Sequence, residues 1–360
     1  MTASTNGIFQ ADDIRAAIGS GVIGLGAEAG TAQIQPASLD LTLGAKAWRV
    51  RAAFLPGREK TVEGRLEEGL GLHELDLTEG AVLEKGCVYL VKLRESLTLP
   101  FGVFARANPK SSTGRIDVFV RLVTDMGTSY ETVPAGYDGP LYAEISPRTF
   151  SILVREGSSL NQLRIRRGQS ALSDDELSAL HVADPLVTGV ADIEGGLRVS
   201  VDLGGSLGGI IGYRARRHTG LIDIDKVGAL APDDFFEPIP RPTNGFLILD
   251  PDEFYILASR EELRMPRDLA AEMVPIDTDL GAFRVHYAGF FDPGFGLEAP
   301  SRAVLEVRGY DAPFVLEHGQ TVARLSFERL SGEPALAYGA GMKSNYQGQS
   351  LRLSKHFNMG

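Results

Sequence analysis

The chain has 360 residues, 43% apolar and 23% charged, with one cysteine and a formal net charge of −11. Such a length implies two compact units; the lone Cys87 excludes an internal disulfide and a thiolate zinc site; and the acidic balance argues against duplex nucleic acid while leaving room for one basic pocket around a phosphorylated small molecule. No run approaches the ~18 apolar residues of a membrane span and the start, MTASTNGIFQADDIRAAIGSG, shows no secretory or organelle leader, so a cytoplasmic protein without a membrane partner is expected.

In chain order, QADDIRAAIGSGVI at 10 to 23 predicts a short helix that begins near Asp12 and stops at the Gly19 to Gly21 cluster. Short β-type runs follow, bounded by Gly, Pro and Asp: SLDLTLG, CVYLVKL, RIDVFVRLV and SILVREG. In IDVFVRLV the period-two set Ile116, Val118, Val120 and Leu122 predicts a half-buried strand. The segment SALSDDELSALHV carries a capping box, Ser173 with Glu176, and predicts a linker helix. GGSLGGIIG at 204 to 212 lacks the Lys-Ser/Thr of a phosphate loop and is read as a turn between strands. The second half then repeats the β pattern with FLILD, EFYILAS, AFRVHYAG, RAVLEVRG, FVLEHG and TVARLSFERL, which suggests a barrel or sandwich.

An internal repeat settles this layout. CVYLVKLRESLTLP at 87 to 100 aligns with EFYILASREELRMP at 253 to 266, so that Tyr89 meets Tyr255, Arg94 meets Arg260 and Glu95 meets Glu261, an offset of 166 (255 minus 89). After a loop four residues longer in the first copy, Glu144 meets Glu306 and Gly157 meets Gly319 at an offset of 162 (306 minus 144). The expected domains are 1–168, a linker with a short helix at 169–195, and 196–360.

The copies differ where chemistry would reside. KSSTGR at 110 to 115 stands opposite IDTDLG at 276 to 281, so Ser111 becomes Asp277 and Arg115 becomes Gly281. The second copy has a compact YAGFFDPGFG hairpin at 287 to 296 where the first has TDMGTSYETVPAGYDG, and only the second ends in MKSNYQGQ at 342 to 349. The SSxxR element, the A-G-x-x-D-P-G hairpin, a strand Glu, LSFE and a tail of K-x-x-YQGQ type, together with QPASLDLTLGAKAW at 35 to 48, resemble the deoxycytidine triphosphate deaminases of the trimeric dUTPase superfamily, in their long, duplicated form. The resemblance implies a mainly β protein of two tandem dUTPase-like β-barrels, of distorted jelly-roll type, with short peripheral helices.

Deaminating cytosine requires an activated water and protons for the ring nitrogen and the leaving ammonia. Many deaminases use zinc held by His and Cys, but here one Cys and six unpaired-spacing His point to a carboxylate as the proton shuttle. Glu144 in LYAEIS and Glu306 in AVLEVRG both fit, being acids within strand patterns. The resemblance implies that the Glu activates water, that Ser111 holds that water, and that Arg115 keeps the Glu oriented. It further implies nucleotide binding by Lys110, Ser112, Tyr287, Ala288, Gly289, Asp292, Lys343, Tyr346, Gln347 and Gln349, with Mg²⁺ bound through the triphosphate and no zinc.

Because SSxxR survives only in the first copy, and hairpin and tail only in the second, a composite site pairing Ser111 and Arg115 with Glu306 is preferred to one built on Glu144. The expected reaction turns dCTP into dUTP and ammonia, feeding dUMP and dTTP synthesis. The alternatives are a dUTPase or bifunctional deaminase and diphosphatase using Asp292, and a non-catalytic deoxynucleotide sensor. A homo-oligomer, trimeric or pseudo-hexameric, and inhibition by dTTP are also expected.

Overall fold

The computed structural model describes residues 6–26, 31–205, 208–275, 283–285, 289–309, 312–332 and 350–359. Among these the chain is mainly antiparallel β, with few and short helices. It divides into two units, the first holding residues 1–170, 220–227 and 330–335, the second holding 171–219, 228–329 and 336–360.

In the first unit one sheet runs in the order Gly71–Asp76, Leu43–Val50, Val88–Thr98, Asp138–Pro147, Val118–Thr124, with Ile23–Gly24 also on Val88–Thr98. The other runs Gly7–Ile8, Asn161–Arg167, Val103–Pro109, Thr132–Val133, with Leu39–Leu41 against Asn161–Arg167. Apolar alternation explains the burial: Val118, Val120 and Leu122 are buried while Phe119 and Arg121 are only half-buried. The second unit repeats both sheets. Phe254–Leu263 and Ser301–Gly309 stand for Val88–Thr98 and Asp138–Pro147; Leu269–Pro275 and Thr321–Arg329 stand for Val103–Pro109 and Asn161–Arg167.

The duplication extends to individual hydrogen bonds. Tyr89 OH accepts from Glu84 N at 3.0 Å, and Tyr255 OH from Asp250 N at 3.0 Å. The Glu95 carboxylate accepts from Thr42 N at 2.9 Å and Thr42 Oγ1 at 2.6 Å; Glu261 accepts from Ser200 N at 2.8 Å and Ser200 Oγ at 2.6 Å. Gly157 at φ 85° donates to Leu43 O at 2.8 Å, and Gly319 at φ 83° to Val201 O at 2.9 Å. A side chain is disfavoured at that φ, so glycine recurs where the same turn recurs.

Two helices are less peripheral than expected. The first spans Ala11–Gly19 and buries Ala11, Ile14 and Ala17. The capping-box helix spans Asp174–Ala183, and its Leu177 joins Val199, Leu257, Leu305 and Leu325 in the second unit's core. Ser173 Oγ accepts from Glu176 N at 3.3 Å and the Glu176 carboxylate accepts from Ser173 N at 2.8 Å, as the spacing predicts.

Candidate active site

The SSxxR element forms a local seat rather than the start of a strand. Pro109 closes its ladder opposite Asn161, Lys110 caps the N-terminus in extended geometry, and Ser111–Gly114 makes one helical turn closed by Arg115 N donating to Ser111 O at 3.1 Å. Asp117 takes a left-handed φ of 54°, and only then does the strand Val118–Thr124 begin. The turn is pinned to one carbonyl: Leu160 O accepts from Lys110 N at 2.9 Å and Thr113 Oγ1 at 2.8 Å. Solubility does not explain this cluster. Ser112 and Arg115 are 5% and 3% exposed, and a buried guanidinium is costly unless neighbouring groups compensate it. Lys110 Nζ is ion-paired with Asp40 and lies 3.4 Å from Ser159 Oγ.

Beside this seat lies a residue that the sequence did not single out. Asn161 is 1% exposed, and neither its Oδ1 nor its Nδ2 has a hydrogen-bond partner. At the same ladder position the second unit has Ala323, opposite Pro275, fully buried. The fold itself therefore needs no amide there. The repeat would have revealed it: with the offset of 162, Asn161 falls on Ala323.

The two strand glutamates are both buried, Glu144 at 2% and Glu306 at 5% exposure. Their ladder neighbours correspond, Leu90 beside Glu144 and Ile256 beside Glu306. Glu144 is fully engaged within its own unit. Its Oε1 accepts from Arg121 Nε at 3.0 Å and from Arg121 Nη2; its Oε2 accepts from Tyr130 OH at 3.3 Å and Phe54 N at 3.3 Å. The Arg121 guanidinium lies over the Tyr130 ring, 3.5 Å from its centroid. Burial, reinforced by the charge on Glu144, pushes the Tyr130 phenol up to about 12, so it remains a donor at neutral pH.

In the second unit Glu306 lies on Ser301–Gly309, two residues before Arg308, whose Nη1 donates to Asp252 O at 2.9 Å. The neighbouring strand Phe283–Val285 pairs with residues 307 to 309. Of the hairpin, Gly289 O accepts from Met273 N at 2.9 Å and Asp292 O accepts from Phe295 N at 3.1 Å, closing the Asp-Pro-Gly turn. Gly296 is obligatory there: its φ is +73°, and a Cβ would fall 2.1 Å from Leu263 O. Tyr287, Ala288, Lys343, Tyr346, Gln347 and Gln349 lie outside the described residues.

No group of three or more His, Cys, Asp or Glu side chains is arranged to hold a metal ion among the described residues. A cleft of ≈ 360 Å³ in the second unit, lined by Arg198, Ser200, Arg260, Glu261 and Thr321 among others, contains none of the expected site residues.

Known proteins align with both copies. The family model for the N-terminal domain of 2'-deoxycytidine 5'-triphosphate deaminase matches residues 5–169, and that for its C-terminal domain matches residues 173–357. The chain is 31% identical over 151 residues to "dCTP deaminase, dUMP-forming" of Beutenbergia cavernae, covering 39% of the chain and 74% of that relative. It is 34% identical over 121 residues to "dCTP deaminase" of Haloarcula marismortui, covering 32% of the chain and 60% of that relative. The crystal structure of 2'-deoxycytidine 5'-triphosphate deaminase from Agrobacterium tumefaciens superposes with a TM-score of 0.88 at 51% identity, covering 92% of this chain and 99% of that one.

Proposed function

The chain belongs to the 2'-deoxycytidine 5'-triphosphate deaminase family, and from that premise we propose that it hydrolyses dCTP to dUTP and ammonia. The observation that carries this reading is the 51% identity, over 92% of the chain, to a solved deaminase of that name. In the proposed step Glu306 takes a proton from a water as its oxygen bonds to carbon 4 of cytosine. The carboxylic acid then protonates ring nitrogen 3. A second proton passed through the same group lets the exocyclic amine leave as ammonia, and the carbonyl of uracil forms. Ser111 holds the water and Arg115 keeps the carboxylate charged and oriented.

Glu306 is proposed over Glu144 because the latter's acceptor capacity is filled. A carboxylate offers about four lone-pair directions, and two Arg121 N–H groups, the Tyr130 hydroxyl and the Phe54 amide already occupy Glu144. Such a group has no acceptor direction left over for a water. The buried Arg115, with the half-buried Ser111 on the same turn, supports their role, while the Lys110 pairing with Asp40 argues for a structural one there. Ser112, Gly289, Asp292 and the segments holding Tyr287, Ala288, Lys343, Tyr346, Gln347 and Gln349 are proposed to bind the nucleotide.

The proposed chemistry is free of zinc, which the single cysteine and scattered histidines support. Mg²⁺ is proposed to arrive on the triphosphate oxygens, where it would screen phosphate charge. A homo-oligomer working in the cytoplasm, with dTTP as an inhibitor, completes the reading; no described helix is long and apolar enough to cross a membrane.

A second reading is favoured by the relatives named as dUMP-forming, in which dUTP would lose diphosphate in the same protein. Asp292 would then position a water on the α-phosphate. The test is chromatography of the products from dCTP, with ammonia release measured in parallel. Glu306→Gln should lower kcat by about 10²- to 10⁴-fold; full activity in that variant sinks the assignment. dUTP as the end product supports the first reading, dUMP the second, and binding without turnover a sensor.

A further inference from the structure

We propose that the first unit's strand glutamate marks a self-filled site, in which Tyr130 and Arg121 stand where a ligand ring and its partner would, so that each chain binds one nucleotide rather than two. The inference rests on the deaminase reading for the identity of the ligand, but its structural half stands on the first unit alone.

Three observations converge. First, Tyr130 supplies a flat ring under a guanidinium and a polar tip on Glu144 Oε2. A ring capped by a cation and tipped by a carboxylate contact is also how an aminopyrimidine would be held. Second, the apolar wall is closed by the protein's own groups: Trp48, Phe54 and Tyr130 pack against Val50, Val62, Leu66, Leu90, Val123 and Tyr142. Third, Tyr130 belongs to the loop that is four residues longer in the first copy, and that loop is fixed. Its next residue, Glu131, holds a left-handed φ of 64°. Glu131 N donates to Leu122 O at 3.0 Å, its O accepts from Ala107 N at 2.8 Å, and its Oε2 accepts from Leu122 N at 3.1 Å. A non-glycine residue in that conformation persists only where surroundings over-determine it, so Tyr130 is held in place rather than resting there.

Both copies keep a short paired segment here, Thr132–Val133 and Phe290–Phe291, with Ala107 N donating to Glu131 O as Met273 N donates to Gly289 O; in the first copy the residue before Glu131 is Tyr130, whose ring reaches that unit's own glutamate.

The experiment titrates dCTP into the full-length Glu306→Gln chain by calorimetry, alongside steady-state kinetics of Glu144→Gln and a denaturation cycle on Arg121→Met and Glu144→Gln. The expected stoichiometry is one nucleotide per chain, and two per chain overturns the proposal. Glu144→Gln should keep kcat within about twofold while its Tm falls, whereas an about hundredfold loss of kcat at unchanged Tm overturns it. The cycle should show coupling between Arg121 and Glu144, and additive effects overturn the lock even if no dCTP binds. A wild-type chain that releases no ammonia from dCTP counts against the deaminase reading; the cycle still decides the lock.

Discussion

At the scale of residues, identical chemistry in a protein can mean opposite roles, and surroundings decide which. Glu144 and Glu306 sit at equivalent ladder positions, and four donors from Arg121, Tyr130 and Phe54 surround the first, which is why the second is proposed as the proton shuttle. Glu95 and Glu261 show the reverse, one structural role kept in both copies through matching bonds to Thr42 and Ser200. Glu95→Gln and Glu261→Gln should therefore each destabilise the unit that holds them by about 2 kcal/mol, since an amide presents N–H where an acceptor was needed. Urea denaturation checks this, and a neutral effect in either copy would show that the shared geometry is not shared energetics. The sequence revealed Glu95 and Glu261 as aligned residues but not their bonds, because the partners Thr42 and Ser200 are distant in the chain.

Elements show how local grammar and tertiary demand divide the work. The capping box at Ser173 and Glu176 specified its helix without help. RIDVFVRLV, by contrast, predicted a strand from Ile116, and the strand begins at Val118 because Lys110 caps a turn and Asp117 adopts a left-handed conformation. The period-two apolar pattern extends to Ile116, but Asp117 is as buried as its neighbours and β pairing stops at Val118, so alternation alone misplaces the boundary. A second element is the segment 350–359. Leu230 N donates to His356 O at 3.1 Å and Asn358 N to Leu230 O at 2.9 Å, and the Phe357 ring meets Phe235 and Phe236 edge-on at 5.3 and 5.4 Å. Phe357→Ala should release this segment at a cost of about 3 kcal/mol. Limited proteolysis should then cut near the C-terminus of the variant and spare the parent; equal resistance would refute the anchoring.

For the whole molecule, acid tolerance is set partly by a pairing in the first unit. Arg155 Nη1 and Nη2 bind Asp223 Oδ1 and Oδ2 at 2.8 and 3.0 Å, holding the Asp223 carboxyl down to about 2. A depressed carboxylate contributes stability that is complete above its unfolded value of 3.8 and disappears as pH falls through about 2. Asp223→Asn should thus lower Tm at pH 7 and flatten its decline between about pH 4 and 2; an unchanged acid profile would assign that decline to other carboxylates. The sequence by itself determined the mainly β class, the duplication and the family, because alternation, glycine turns and a repeated register are written in residue order. Only tertiary structure decided that residues 220–227 belong to the first unit and that Glu144 is spent on Arg121. Those outcomes depend on which groups meet across the fold, and charge pairing in a buried site follows distance in space rather than separation along the chain.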